Sequence, residues 1–398
     1  MKQKWLRDES EQWVNEGIIR PEQRDAIMSR YKGRDRLSLI FFLSALLIGL
    51  SCLSFVAANW QVIPELIRML IIILFMVGFY ILGHVFEQRA NPYYGMISYV
   101  VALSIFGAGI FLVGQMYHYT MNSVFAFIVW GIVAYLLYLS RPYFFIFLSG
   151  LAIVTVGAIY GLANMHAFDW WLFALFVIGY GSIVLIQNNR LISYFFAISY
   201  SIQLMGYTMD YLGSYYWFSV FGLLLYLFGL VVYKEQISIP FRRTPLVIMF
   251  GLLLIQTLIF EFSYRPEVHV VFYLILTVML IIAIVMISRK NHLLKLSHLV
   301  IFLPIFLAGD LSQFLAYIVL YVFSVGMILD GYQSDHERRF HFGTGAFLLT
   351  TLTVYVQVAW GFLNQSLFFL LGGIILFFIG FLLERKRKTM TGQKRKGV

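Results

Sequence analysis

The chain has 398 residues, of which 61% are hydrophobic and only 12% charged, with a mean hydropathy of +0.83. A soluble domain carries roughly twice that charged fraction, so composition excludes one and predicts an all-α integral membrane protein organised by the bilayer. The formal net charge of +10 calls for no nucleic-acid partner, because loops and a basic tail account for it, and the lone Cys52 allows no disulfide and no thiol metal cluster.

Residues 1–36 lack the basic, apolar and small-residue layout of a cleaved signal. They predict a short cytoplasmic helical hairpin and a possible docking surface for a cytoplasmic protein partner. Leu6, Ser10, Trp13 and Gly17 share one helical stripe, with Gly17 as its stop. Pro21 suits the first position of a second helix, with Glu22 and Asp25 near its positive dipole end and Ile27, Met28 and Tyr31 as its apolar side.

Residues 37–383 form the expected polytopic domain. Segments of membrane-crossing length number about fourteen, most approaching the roughly 20 residues that a 30 Å hydrocarbon core requires. The first nine are Leu37–Ala57, Leu66–Phe86, Met96–Met116, Ser123–Ser140, Tyr143–Ala163, Asp169–Gln187, Leu191–Met209, Tyr215–Tyr233 and Thr244–Ser263. Val268–Ser288, Leu293–Ala308, Ser312–Leu329, Phe342–Trp360 and Ser366–Leu383 complete the set. With this division all but two of the 29 Lys and Arg residues, Arg68 and Arg265, fall on one side. Positive loops stay cytoplasmic, so both termini are expected inside and the protein in the bacterial cytoplasmic membrane.

The eleventh segment, Leu293–Ala308, is short, contains Pro304 and meets the next through Gly309-Asp310-Leu311. A tight helical hairpin and a re-entrant pair over 293–329, leaving twelve full spans, both return the chain to the cytoplasm. Short segments broken by Gly or Pro point to transporter binding sites. Residues 384–398 are a basic tail, Arg385 to Lys396, whose expected partner is anionic lipid, at about 1 kcal/mol per basic residue near the surface.

Two polar clusters interrupt the apolar sequence at the predicted outer face. One is Ala57-Ala58-Asn59-Trp60-Gln61, followed by Glu65 and Arg68; the other runs from Gly107-Ala108-Gly109 to Gly114-Gln115-Met116-Tyr117-His118. With Leu6, Trp13, Gly17-Ile18-Ile19, Glu22-Gln23, Ile27 and Tyr31, these motifs resemble a family of bacterial multi-pass membrane proteins known only as a domain of unknown function, DUF2157. The resemblance covers residues 5–118 and departs at Arg20, where a Ser-like cap is more usual. It implies a membrane protein with a cytoplasmic N-terminal hairpin, and no substrate.

Asn59, Trp60, Gln61, Glu65, Arg68, Gln115, Tyr117 and His118, with Asp310 from the suspect segment, are the candidate ligand-binding residues. Their amides, aromatic faces and charges suit a sugar, a polar headgroup or a carboxylated solute; anchoring of Trp and Tyr at the interface is the plainer account of the same residues. Glu65 and Arg68 stand three apart and could pair. The outer carboxylates Glu65, Asp169, Asp210, Glu261, Glu267 and Asp310 all lie near span ends, which argues against an ion-driven carrier. Gln203 and Gln256, deeper in their spans, read as glue between helices, and Gly157 with Gly161 as a close-packing motif.

No histidine grouping reads as a metal site, no cofactor is expected, and the phosphate-loop, zinc-protease and GxSxG signatures are absent. The leading expectation is binding or transport of an amphipathic or polar small molecule through an outward-facing pocket. A non-transporting scaffold or sensor acting through residues 1–36 is the alternative. A lower one is a membrane glycan or lipid transferase using Asp169, Asp210 or Asp310 as a base, since an enzyme is less expected than a binding protein.

Overall fold

The computed structural model describes residues 9–14, 16–17, 19–24, 63–89, 91–116, 124–211, 214–259, 270–289, 293–305, 308 and 311–359, with isolated helical positions at 43–54 and 370–377. Among them every regular element is helical, and seven helices are long and apolar enough to cross a membrane. Two further apolar helices are shorter, Phe125–Ser140 and Trp217–Val231. Spans Leu37–Ala57 and Ser366–Leu383 lie almost wholly outside the described residues, and the basic tail entirely so. The chain divides into two compact units, residues 1–120 and 121–398.

In the first unit, residues 9–14 are helical and Gly17 adopts φ +75°, the left-handed conformation that ends a helix at least cost. The Ile19 amide donates back to the Trp13 carbonyl at 3.3 Å across that turn. Pro21 then opens a helical turn over residues 21–24. Gln23 Oε1 accepts from the Arg20 amide at 3.0 Å, so the reach-back half of a capping box survives with arginine at the cap position.

Helices α1 (Glu65–Arg89) and α2 (Pro92–Met116) follow as an antiparallel pair. Their tight connection uses Asn91, whose Oδ1 accepts from the Tyr93 amide at 3.0 Å, ahead of Pro92 at the first helical position. Two glycines set the register. A Cβ on Gly95 would stand 2.8 Å from the Gly83 carbonyl oxygen, and one on Gly83 would stand 2.8 Å from the Tyr99 ring. Backbones therefore touch there, as small residues allow in membranes. Tyr99 Oη donates to Glu87 Oε2 at 3.0 Å beside the crossing.

The second unit comprises α3 (Phe125–Ser140), α4 (Phe144–Met165), α5 (Trp170–Gln187), α6 (Arg190–Gly206), α7 (Trp217–Val231), α8 (Glu235–Ile259) and α9 (Val270–Arg289). A 3₁₀ segment, Leu293–Phe302, precedes α10 (Ser312–Gln333) and α11 (Glu337–Ala359). The expected close packing at Gly157 and Gly161 is present, since Cβ atoms there would stand 2.6 Å from Phe127 and 2.8 Å from Val124. Thr155 of α4 hydrogen-bonds Ser199 of α6, and Gln203 Nε2 donates to the same hydroxyl at 3.2 Å. The bond of Gln203 stays within α6, and the bridge to α4, expected of Gln203, is made by Ser199. The corresponding tie to α8 comes from Gln357, which donates to the Thr257 carbonyl at 2.9 Å. Leu223, Phe250, Phe272, Phe302, Leu320 and Phe323 centre the core shared by α7 to α11 and the 3₁₀ segment.

Four elements differ from expectation. Helix α8 starts at Glu235 instead of Thr244 and runs through Pro240 and Pro245. Packing offsets the cost of those prolines: Phe241 stacks on Phe196 at 5.8 Å and lies 5.5 Å from Phe228. Ser238 Oγ also donates to the Gly229 carbonyl at 2.6 Å. The segment expected to span at Leu293–Ala308 is a ten-residue 3₁₀ helix ending before Pro304, about 20 Å long at 2.0 Å per residue and too short to cross. Helices α10 and α11 reach further than expected, to Gln333 and back to Glu337, so residues read as loop become helix ends.

Candidate functional site

The register of α1 against α2 extends to a contact between Gly109 and Ile72, where a Cβ would stand 2.8 Å from Ile72 Cγ2. Glu65 and Arg68, in the first turn of α1, therefore share an end of the pair with Gln115, in the last turn of α2. Glu65 is exposed and Arg68 half-buried. Arg68 Nε donates to the Ile63 carbonyl at 2.5 Å, which ties the guanidinium to the turn before the helix. Asn59, Trp60, Gln61, Tyr117, His118 and Asp310 lie outside the described residues, as does the Gln115 side chain. Asp169 is described: its Oδ1 accepts from the Leu172 amide at 2.8 Å as the cap of α5.

A second polar group, missed in the sequence, forms where five elements of the second unit end. Asp330, in the last turn of α10, is only 4% exposed. Arg339 Nη1, from the first turn of α11, donates to its Oδ2 at 3.0 Å, and Ser334 Oγ donates to its Oδ1 at 3.3 Å. His298 of the 3₁₀ segment presents Nε2 at 4.0 Å from the same Oδ2, outside hydrogen-bond range. Tyr226 Oη of α7 lies 3.3 Å from His298 Nδ1. If Tyr226 donates, Nδ1 accepts and Nε2 carries the ring proton, a tautomer assigned from this contact. That Nε2 is buried and has no hydrogen-bond partner among the described residues.

Arg242 of α8 completes the group. A Cβ on Gly229 would stand 2.8 Å from Arg242 Cγ, so the glycine makes room for the arginine stem. Its Nε donates to the Ser238 carbonyl at 3.3 Å. No carboxylate pairs with it among the described residues. Arg242 and Lys295 stand within electrostatic reach of His298, and Arg242 also of Tyr226. Asp330 is thus paired with Arg339 while Arg242 lies nearby without a carboxylate of its own among the described residues, an arrangement suited to holding an anionic group.

Signals for this group were present but discounted. Phe323, Met327 and Asp330 fall at helical spacing on the buried stripe of α10, and His298 lies in the Pro-broken segment already suspected. Arg242 and Arg339 fall in gaps between the expected spans, where basic residues read as cytoplasmic loop. No curated protein and no solved structure matches the chain. Over residues 11–145 the chain matches the family model described as Predicted membrane protein (DUF2157), a domain of unknown function, which bears out the resemblance carried by its N-terminal motifs.

Proposed function

We propose that the protein binds, and moves across the cytoplasmic membrane, a polar or amphipathic small molecule. The observation that supports this most is the Asp330 group: three cations, a buried histidine and a carboxylate gathered at the ends of spans in a chain that is 12% charged. Removing such charges from water costs several kcal/mol, and ionisable groups within membrane proteins mark functional sites far more often than chance. The proposed outward port lies around Arg68, Gln115 and His118, where amides and aromatics offer weaker, exchangeable contacts. Handling at both faces is what movement of a solute requires.

The test is a thermal-unfolding screen of the full-length protein in a neutral detergent, with carboxylates, sugars, phosphates and phospholipids as separate classes. A ligand at 100 times its Kd stabilises by about 2.7 kcal/mol, so at least one class is expected to raise Tm. Arg68→Gln or Arg242→Gln should abolish that rise. No shift from any class, together with loss of the cellular phenotype on deleting residues 1–33, would leave the scaffold reading in its place.

A further inference from the structure

We propose that the Asp330 group seats the anionic headgroup of a membrane amphiphile whose chain lies in the groove between the 3₁₀ segment and α10. This rests on the binding reading above and names its ligand class. Three features converge. Charge is the first: Arg339 is paired with Asp330, and Arg242 makes no ion pair among the described residues, so one cation of the group is left over. A phosphate or carboxylate would supply the missing negative charge, and arginine forks match such oxygens in geometry.

The second feature is His298 Nε2, a buried ring nitrogen facing the group without a hydrogen-bond partner among the described residues, and a donor in the tautomer that the Tyr226 contact assigns. A buried donor left unmet is destabilising, and an anionic oxygen entering the group would satisfy it.

The third is the groove, about 420 Å³ and lined by Leu294, Ser297, Tyr321, Val325, Gly326 and Leu329. Its volume falls within the range of about 300–1,000 Å³ typical of ligand sites. Gly326 lets the 3₁₀ segment close on α10 at the groove wall, because Ser297 occupies the place where a Cβ would stand. Along the 3₁₀ segment every third residue shares a face. Leu294 and Ser297 thus wall the groove, while Lys295 and His298 form the neighbouring stripe. Leu329 ends the groove one residue before Asp330. Val325 and Leu329 are exposed along its α10 side, so it opens laterally, as entry from a bilayer requires. Charge on one stripe of α10 and the 3₁₀ segment and an apolar trough on the neighbouring stripe match an amphiphile, not a free solute.

The experiment uses the full-length protein in nanodiscs of mixed dioleoylphosphatidylglycerol and dioleoylphosphatidylcholine, with retained lipid counted by native mass spectrometry. Wild type should retain phosphatidylglycerol preferentially. Arg242→Gln and Lys295→Gln should each lower that preference about fivefold, the worth of one basic residue near an anionic headgroup. Arg338→Gln, exposed and outside the group, should leave it unchanged. Val325→Trp, which fills the groove, should lower retention of the dioleoyl lipid but not of a dihexanoyl analogue. If Arg242→Gln does not fold, Lys295→Gln carries the same test.

Equal retention of the two lipids by wild type overturns the proposal, as does a preference untouched by both variants. Sodium phosphate that stabilises wild type as strongly as phosphatidylglycerol also overturns it, in favour of a free anion. The broader binding reading survives any of these failures if another compound class raises Tm.

Discussion

At the residue scale Asp330 is the position on which most depends. Its carboxylate is satisfied by Arg339 at 3.0 Å and Ser334 at 3.3 Å, and it offsets part of the positive charge of Arg242 and Lys295 nearby. Asp330→Asn removes that offset and leaves Arg242 and Arg339 to repel each other. Breaking a buried pair by removing one partner costs about 3–5 kcal/mol. Arg339 is 16% exposed, so water softens its loss and Arg339→Gln is expected to cost less than Asp330→Asn. The double variant should lose less than the sum of the two singles, because the groups interact directly. Thermal unfolding of the four proteins in detergent measures the cycle; strictly additive losses would show that the pair contributes nothing.

The same residues show what sequence reading could reach. The polar contact around Gln203 was legible because an amide deep in an apolar span has few fates, though Ser199 makes the bridge. Asp330 was not, because a carboxylate one residue past an apolar run has the composition of a solvated loop. Only its helical spacing from Phe323 and Met327 distinguishes the two. Of the outward candidates, Glu65 and Arg68 fall at one helix start with Gln115 near it, as their topology implied, while most of the others lie outside the described residues.

At the element scale the α10–α11 turn brings Asp330 and Arg339 together. Only Ser334, Asp335 and His336 join the helices, with Asp335 at φ +50°. Gly331 packs directly on the backbone of Phe340 at the start of α11. Gly331→Ala must therefore push two backbones apart, an overpacking that typically costs about 1–3 kcal/mol. Gly345, further along α11, has nothing within 4 Å of its Cβ direction. Gly345→Ala should be neutral or stabilise by up to about 1 kcal/mol, the helix-propensity gain. Opposite Tm shifts for these two variants are expected; equal shifts would mean that the helices do not approach closely at Gly331.

Most helices were legible to within a few residues from hydropathy alone, since one apolar window of sufficient length admits few alternatives in a bilayer. Residues 235–243 carry charge and lie between two expected spans, which reads as loop, but aromatic packing around Phe241 holds them in the helix. In the 3₁₀ segment apolar composition argued for a span, while Pro304 and the close approach of Ser297 to Gly326 impose a shorter, tighter element.

At the scale of the whole molecule, the distribution of Lys and Arg predicts that the Asp330 end of the second unit faces the cytoplasm. The α10–α11 turn is followed by Arg338 and Arg339 and the α5–α6 turn by Arg190, whereas the α4–α5 turn holds His166 and Asp169 but no Lys or Arg. Positive-inside bias thus predicts the first two turns inside and the third outside. Alkaline phosphatase, which is active only after export, is expected to be active when fused after Ala167 and inactive after Asn188 or Asp335. Both the membrane topology and the lipid proposal bear on that result, because anionic headgroups that attract Arg242 and Lys295 are enriched in the cytoplasmic leaflet. An active enzyme after Asp335 would reverse the orientation of α10 and α11. It would also move the cation group to the outer leaflet, where the electrostatic case for an anionic amphiphile weakens.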